Sequence, residues 1–191
     1  MKPTTQLQKT IRYDRRDTAE TLILREPGVY RVEIAAEGVE LEIKGGWLAQ
    51  QAEEIELQLT IVHQAAHTRS NTLLRGVATD RSHISLSGTI IIEPGAQDTN
   101  AFLTENILLL SDQARTEALP NLEIQANEVK CSHAATVSRI PEEHLFYLMS
   151  RGLTKEQAQI LVVEGFLRDA QGNSEEDKNL PEKKQNQHAE T

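Results

Sequence analysis

Hydrophobic and polar residues alternate along the first third of the chain. Between residues 22 and 61 the apolar side chains recur at every second position, most clearly in residues 39–43 and 55–61. This period of two predicts β-strands with one buried and one solvated face. Turns are expected where glycine or proline interrupts the alternation, at Pro27-Gly28, Glu37-Gly38 and Gly45-Gly46. Trp47 follows the last of these turns and is expected to fill the core.

Short apolar segments continue as far as residue 128. The segments that predict strands are Leu73-Leu74, Ile84 with Leu86, residues 89–92, residues 108–110, and Leu122 with Ile124. The turns expected between them are at Gly76, Gly88 and Pro94-Gly95, and Pro120 precedes the last of these strands. Because strands and helices do not alternate, a parallel α/β sheet is not expected. Many short strands are typical of a sandwich, a barrel or a β-solenoid, and periodicity alone does not separate these three. The absence of Asn-Gly and Asp-Gly hairpin turns favours the solenoid.

Two helices are predicted after residue 139. Pro141 suits a first helical turn, and Gly152 is expected to end that helix in a left-handed conformation. Thr154 and Gln157 have the spacing of a capping box at the start of the second helix. The apolar stripe of the first helix comprises Leu145, Leu148 and Met149, and that of the second comprises Ala158, Leu161, Val162 and Gly165. A helix pair this short has to dock on the rest of the chain or on a partner.

Composition narrows the class of protein. The chain has 191 residues with 29 acidic and 20 basic side chains, so its net charge of -9 argues against a nucleic-acid partner. No apolar run reaches the roughly 20 residues that span a bilayer, and the first residues do not form a signal peptide. A single cysteine excludes an internal disulfide framework. We therefore expect a soluble cytoplasmic protein with a polar arm (1–18), a β core (19–138), a helical domain (139–168) and a disordered tail (169–191).

The one cysteine, Cys131, precedes His133 by two positions. If both lie on a strand, their side chains point to the same face and could hold a soft metal ion or an iron–sulfur cluster. The alternative is that Cys131 is a small buried apolar residue and His133 is a hydrogen-bonded neighbour. Spacing alone leaves both interpretations open.

Other motifs give little indication of an enzyme. His63 and His67 have the spacing of a zinc-hydrolase helix, but the glutamate that would act as base is missing and the segment follows a strand pattern. A metal-dependent enzyme using these two histidines remains a hypothesis, and loop or surface histidines are the alternative. The chain has no phosphate-binding Gly-rich loop, so it is not expected to bind nucleotide itself, and it has no nucleophile elbow. The sequence therefore predicts that the chain is not an autonomous enzyme.

Residues 71–167 carry an ordered set of segments that closely resembles the SufB/SufD family of iron–sulfur assembly scaffolds. The segments are Thr72-Leu-Leu-Arg-Gly-Val, Ile92-Glu-Pro-Gly-Ala-Gln, Glu105-Asn-Ile-Leu-Leu-Leu-Ser-Asp, Pro120-Asn-Leu-Glu-Ile, Val129-Lys-Cys-Ser-His and Leu145-Phe-Tyr-Leu-Met-Ser-Arg-Gly. They occur in family order over about half of the chain. The run Cys131-Ser132-His133 looks like the SufD branch, because the SufB branch has Glu-His-Glu there and further cysteines upstream.

The resemblance implies a right-handed parallel β-helix, or β-solenoid, followed by a short C-terminal helical pair. It implies that the end of the β-helix is a dimer interface near Cys131 and His133, and that His133 matches a histidine implicated in cluster assembly. The partners would be a SufC-like ATPase, whose ATP hydrolysis reshapes the scaffold dimer, and either a second copy or a SufB-like subunit. A transient iron–sulfur cluster would be assembled. Neither a nucleic acid nor a membrane is expected as a partner. The residues expected to dock the ATPase lie within 139–167 and are His144, Leu145, Phe146, Tyr147, Met149, Arg151 and Gly152.

The chain also departs from the family pattern. Family members are usually more than twice as long, and Ala134 stands where SufD-like chains tend to have glycine. Cys131 and His133 are too few ligands for a cluster, which commonly takes four cysteines, so a second subunit would have to complete the site. The alternatives are a minimal homodimeric scaffold, a degenerate subunit that only holds the ATPase, and a non-catalytic β-solenoid interaction protein that has lost the cluster role.

Overall fold

The computed structural model describes residues 7–172, which form eleven strands and two helices. The strands are β1 (Lys9–Tyr13), β2 (Ala19–Leu24), β3 (Gly28–Ile34), β4 (Glu40–Ala49), β5 (Glu54–His63), β6 (Arg69–Ala78), β7 (His83–Ile92), β8 (Thr99–Leu109), β9 (Arg115–Ala118), β10 (Asn121–Ile124) and β11 (Val129–Ser138). The helices are α1 (Glu142–Ser150) and α2 (Lys155–Arg168).

Strands β1 to β9 alternate between two sheets, β10 stays in the sheet of β9, and every strand pair is parallel. The first sheet has the order β1-β3-β5-β7-β10, with β9 also beside β7. The second has the order β11-β8-β6-β4-β2. The chain therefore winds as a β-solenoid of about four turns, and the predicted fold class is confirmed.

The core lies between the two sheets, where equivalent positions of successive turns stack on each other. Val32 pairs with Ile61, and Ile61 pairs with Ile90, and all three side chains are fully buried. Branched aliphatic side chains suit this pleated interior, and burying each one stabilises the fold by about 1.5–3 kcal/mol. Trp47 is also buried, as its position in the sequence predicted.

Several glycines that were predicted to form turns lie inside strands instead. The turn predictions at Gly45-Gly46, Gly76 and Gly88 are wrong, because these residues belong to β4, β6 and β7. A Cβ atom on Gly76 would lie 2.7 Å from Cδ1 of Ile84 across the core, so this glycine serves close packing. The turn at Gly38 is confirmed, since its φ of 73° lies in the left-handed region.

The two helices end and begin as predicted. Gly152 has a φ of 97° just after α1, and Thr154 and Gln157 form both hydrogen bonds of a capping box at the start of α2. The predicted face of α2 is partly wrong: Ala158 and Leu167 are buried, but Leu161 is 48% exposed and Gly165 is also exposed. The buried face of α2 differs from the predicted one because the helix packs beside Val77 and Leu108 on the outer surface of the second sheet.

Arg75 of β6 holds the end of α2 on this sheet. Its Nη1 donates a hydrogen bond to the carbonyl of Phe166, its guanidinium group lies 5.2 Å from the Phe166 ring centre, and Asp169 is 3.6 Å away. Gln171 donates a hydrogen bond to the carbonyl of Gly46. The helix pair is therefore attached to the solenoid mainly through the C-terminal end of α2.

Parts of the two predicted terminal segments, the polar arm and the tail, pack against the solenoid. Strand β1 lies within the expected polar arm (1–18) and pairs with β3. Within the expected tail (169–191), Ala170 is fully buried. Residues 1–6 and 173–191 lie outside the described part of the chain.

Candidate metal centre at the open end of the solenoid

The last turn of the solenoid, formed by β9, β10 and β11, leaves interior positions open. Leu122, Ile124 and Val137 are 39%, 45% and 48% exposed. Their neighbours in the preceding turn, at Ile90, Ile92 and Ile107, are fully buried. Within residues 7–172 no strand pairs with the outer edge of β11. An apolar interior and a ten-residue strand edge are thus presented together at this end.

Cys131 and His133 both lie on β11, and both side chains point inward. Cys131 pairs with Ala101 and packs beside the core, and His133 pairs with Leu103. The shared face predicted from their spacing is therefore present. Burial raises the pKa of the Cys131 thiol above its ordinary value, so the sulfur is a thiol at neutral pH unless a cation or metal ion approaches it.

A third polar residue, Glu105 of β8, lies beside His133. The distance from Oε2 of Glu105 to Nε2 of His133 is 3.6 Å, and the two side chains are 0% and 4% exposed. In the sequence, Glu105 stands out only as the first residue of a family motif, and this motif alone does not assign it to the site. The available signal was the alternation of β8, in which Glu105 occupies an inward position between Leu103 and Ile107.

Burial shifts the pKa values of Glu105 and His133 in the directions that favour their neutral forms. Desolvation raises the pKa of Glu105 to about 7 and lowers the pKa of His133, and the backbone groups of Gly88 and Asn121 oppose these two changes. Neither backbone group reaches hydrogen-bonding geometry, so both carboxyl oxygens and both ring nitrogens lack a partner in residues 7–172. At neutral pH the imidazole is mainly neutral, and the two groups do not form a stable ion pair.

His63 and His67, considered for a zinc site, do not share one. His63 is fully buried, with Nδ1 2.7 Å from Oγ1 of Thr68 and Nε2 2.8 Å from Oγ of Ser70. Burial lowers the pKa of His63 to about 4. His67 is exposed and lies 2.9 Å from Oδ2 of Asp98. The interpretation of His63 as a loop or surface residue is wrong, because its ring bridges polar side chains inside the solenoid.

The residues expected to dock an ATPase lie on an exposed part of the helix pair. Phe146 is 75% exposed and Tyr147 57% exposed, and Met149 is also exposed. The remaining candidates are the exposed His144, Arg151 and Gly152 and the half-buried Leu145. Ile160 and Leu161 of α2 add two further exposed apolar side chains.

The architecture is that of a parallel β-solenoid with an open end and an appended helix pair. The sequence matches the family described as SUF system FeS cluster assembly, SufBD core domain, over residues 28–166. The chain belongs to this SufBD family.

Relatives of known name agree with this membership. The chain is 33% identical over 143 residues to an iron–sulfur cluster assembly SufBD family protein of Mycobacterium leprae, covering 71% of this chain and 36% of the relative. It is 36% identical over 104 residues to the iron–sulfur cluster assembly protein SufD of Escherichia coli, covering 54% of this chain and 25% of that protein. The chain thus spans about a third or less of the length of these relatives. None of the helices in residues 7–172 is long and apolar enough to cross a membrane.

Proposed function

We propose that this chain is a scaffold subunit of SUF iron–sulfur cluster assembly, which dimerises through the open end of the solenoid and docks a SufC-type ATPase with its helix pair. The observation that carries the proposal is the open last turn, where exposed interior side chains adjoin Cys131, His133 and Glu105 in a member of the SufBD family. In this role the chain is not itself an enzyme and binds no nucleotide, and the ATPase supplies the chemical energy.

The open end supports the dimer. An unpaired strand edge tends to pair with another chain, and solenoid ends need a cover for their apolar interior. Here β11 offers its edge, and Leu122, Ile124 and Val137 offer the apolar surface. Either a second copy or a SufB-like subunit fits this surface.

The helix pair supports the docking of the ATPase. Exposed Phe, Tyr and Met side chains are typical of the centre of protein interfaces, and short helices commonly bind in an apolar groove of a partner. The helix pair is attached through Arg75 and the end of α2, and Phe146, Tyr147 and Met149 of α1 stay exposed. A movement of a bound ATPase would reach the solenoid through this attachment.

The cluster is the cargo of the complex. Cys131 and His133 offer one thiol and one imidazole, and a cluster commonly needs four ligands, so the partner subunit has to supply the rest. A partner would also change the surroundings of Cys131, where a cation or metal ion lowers the pKa of the thiol.

A second candidate is a β-solenoid interaction protein that binds partners without assembling a cluster. The raised pKa of Cys131 favours it, since a thiol is a poor metal ligand. Replacing His133 by Ala and, separately, Cys131 by Ser separates the two candidates. An unchanged anaerobic cluster yield with partner binding intact would favour this second candidate.

Light scattering of the purified chain, alone and mixed with a SufC-type ATPase, tests the proposal. The expected result is a dimer that takes up two ATPase subunits. Phe146→Asp should abolish the uptake, while Phe102→Asp, an exposed phenylalanine on the solenoid, should leave it unchanged. Ile124→Asp should yield monomers. A monomer that ignores the ATPase would refute the scaffold role.

A further inference from the structure

Glu105 and His133 bring four unsatisfied polar atoms together inside the solenoid. Both carboxyl oxygens and both ring nitrogens lack a hydrogen-bond partner in the described part of the chain. Buried polar atoms of native proteins nearly always have one, and an exception often marks a missing water molecule or ion. These two side chains are almost completely buried and directed at each other.

The distance between the two groups suits a shared metal ion better than a direct hydrogen bond. Oε2 of Glu105 lies 3.6 Å from Nε2 of His133. A hydrogen bond between nitrogen and oxygen spans about 2.7–3.2 Å. Two ligand atoms that each lie 2.0–2.2 Å from one tetrahedral metal ion are about 3.4 Å apart.

The fold places both side chains without needing a flexible loop. Glu105 and His133 lie on β8 and β11, which are paired neighbours, and both point into the core. Across the core, a Cβ atom on Gly88 would lie 2.5 Å from Cδ2 of Leu103 and 2.7 Å from Oε1 of Glu105, so the glycine leaves room for both side chains. Strand register and this gap together fix the position of the carboxyl group.

We propose that Glu105 and His133 bind one divalent first-row metal ion. Imidazole and carboxylate groups are suitable ligands for such ions, including Fe(II). No group of three or more His, Cys, Asp or Glu side chains that could hold a metal ion occurs among residues 7–172, so the pair supplies two ligands and water or another chain has to supply the others.

This site deepens the proposed function, and its role as the iron-binding half of the assembly site rests on that function. The co-ligand of His133 is then Glu105, and Cys131 stands outside the pair. Metal binding itself does not depend on cluster assembly and can be measured separately.

The test is an anaerobic titration of the full metal-free chain, purified without a His tag. Co(II) serves as the spectroscopic probe, and Fe(II) is then measured in competition with a coloured chelator. The wild type should bind one ion per chain, and Glu105→Gln and His133→Gln should each weaken binding by more than about tenfold. His67→Gln, the substitution of an exposed histidine outside this site, should keep the wild-type affinity.

Unchanged affinity in Glu105→Gln or in His133→Gln would overturn the proposal, as would binding that is lost only in Cys131→Ser. Should Glu105→Gln fail to fold, His133→Gln still decides the result, because Co(II) should raise the Tm of the wild type and not that of this variant. Cluster reconstitution with candidate partners is a separate measurement. Metal binding through the pair without any cluster would refute the scaffold function and leave the metal site standing.

Discussion

His63 makes the stability of the fold depend on pH in a way that the structure defines. Its ring is fully buried and neutral, held between Thr68 and Ser70, and burial lowers its pKa from 6.5 to about 4. In the unfolded chain the imidazole has its ordinary pKa and takes up a proton as the pH falls below 6.5. The stabilising contribution of the neutral ring is therefore complete above pH 6.5 and is lost as the pH falls toward 4.

The magnitude follows from the size of the pKa shift. Each pKa unit corresponds to about 1.36 kcal/mol, so the contribution of His63 falls by about 2 kcal/mol at pH 5 and by about 3 kcal/mol near pH 4. His63→Gln removes this titration. It should also cost about 1–3 kcal/mol at pH 7.5, because Thr68 and Ser70 lose part of their buried hydrogen bonding.

The assay is urea unfolding at a series of pH values between 7.5 and 4.5, followed by the fluorescence of Trp47, the single tryptophan of the chain. The difference in unfolding free energy between wild type and His63→Gln should shrink as the pH falls. Glu105 acts in the opposite direction, because its raised pKa makes the fold less stable as the pH rises from about 4.5 to 7. This contribution is the same in wild type and in His63→Gln, so it cancels in the difference between their unfolding free energies.

His67→Gln is the control for the same histidine-to-glutamine change at an exposed position. A constant difference between wild type and His63→Gln across the whole pH range would show that His63 is not the titrating group. The assignment of its buried neutral state would then be refuted.

Three further substitutions test the packing and the helix attachment. Gly88→Ala should destabilise the fold by about 1–3 kcal/mol, because its Cβ would meet the side chains of Leu103 and Glu105. The added change Glu105→Ala removes one of these two contacts and should recover part of the loss in a urea double-mutant cycle. Arg75→Ala should increase hydrogen exchange in α2 without affecting β5 and β7, and equal exchange in α2 would contradict the attachment. Thr154→Ala should cost about 1 kcal/mol through loss of the capping box, and Thr154→Ser, which keeps the hydroxyl, should behave like the wild type.

Features fixed by near neighbours in the chain could be predicted from sequence. The alternation of residues 39–43 and 55–61 placed strands correctly, and the caps at Gly152 and Thr154 marked the helix ends, because each depends on residues a few positions apart. The strand glycines could not be interpreted in this way. Gly76 is required by Ile84, and whether a glycine turns the chain or admits a neighbour depends on what lies across the core.

The candidate site likewise has a part that local sequence predicts and a part that it does not. A spacing of two was enough to place Cys131 and His133 on one face of a strand. Glu105 joins them only through the register of β8 against β11, which pairs residues thirty positions apart, such as Cys131 with Ala101. The buried face of α2 could not be predicted for a related reason. The positions of Val77 and Leu108, which are distant in sequence, decide which side of the helix is covered.

The stacking of the solenoid has a consequence for cooperativity. A turn in the middle is held by a neighbour on each side, whereas the turn of β9, β10 and β11 has one such neighbour within residues 7–172. In such a one-dimensional array the stability of a turn depends on its nearest neighbours, so the terminal turn should open with a smaller free energy than the whole fold. A subunit bound there supplies the missing neighbour and raises the protection of that turn by mass action. Association and local folding of this segment are then a single linked equilibrium.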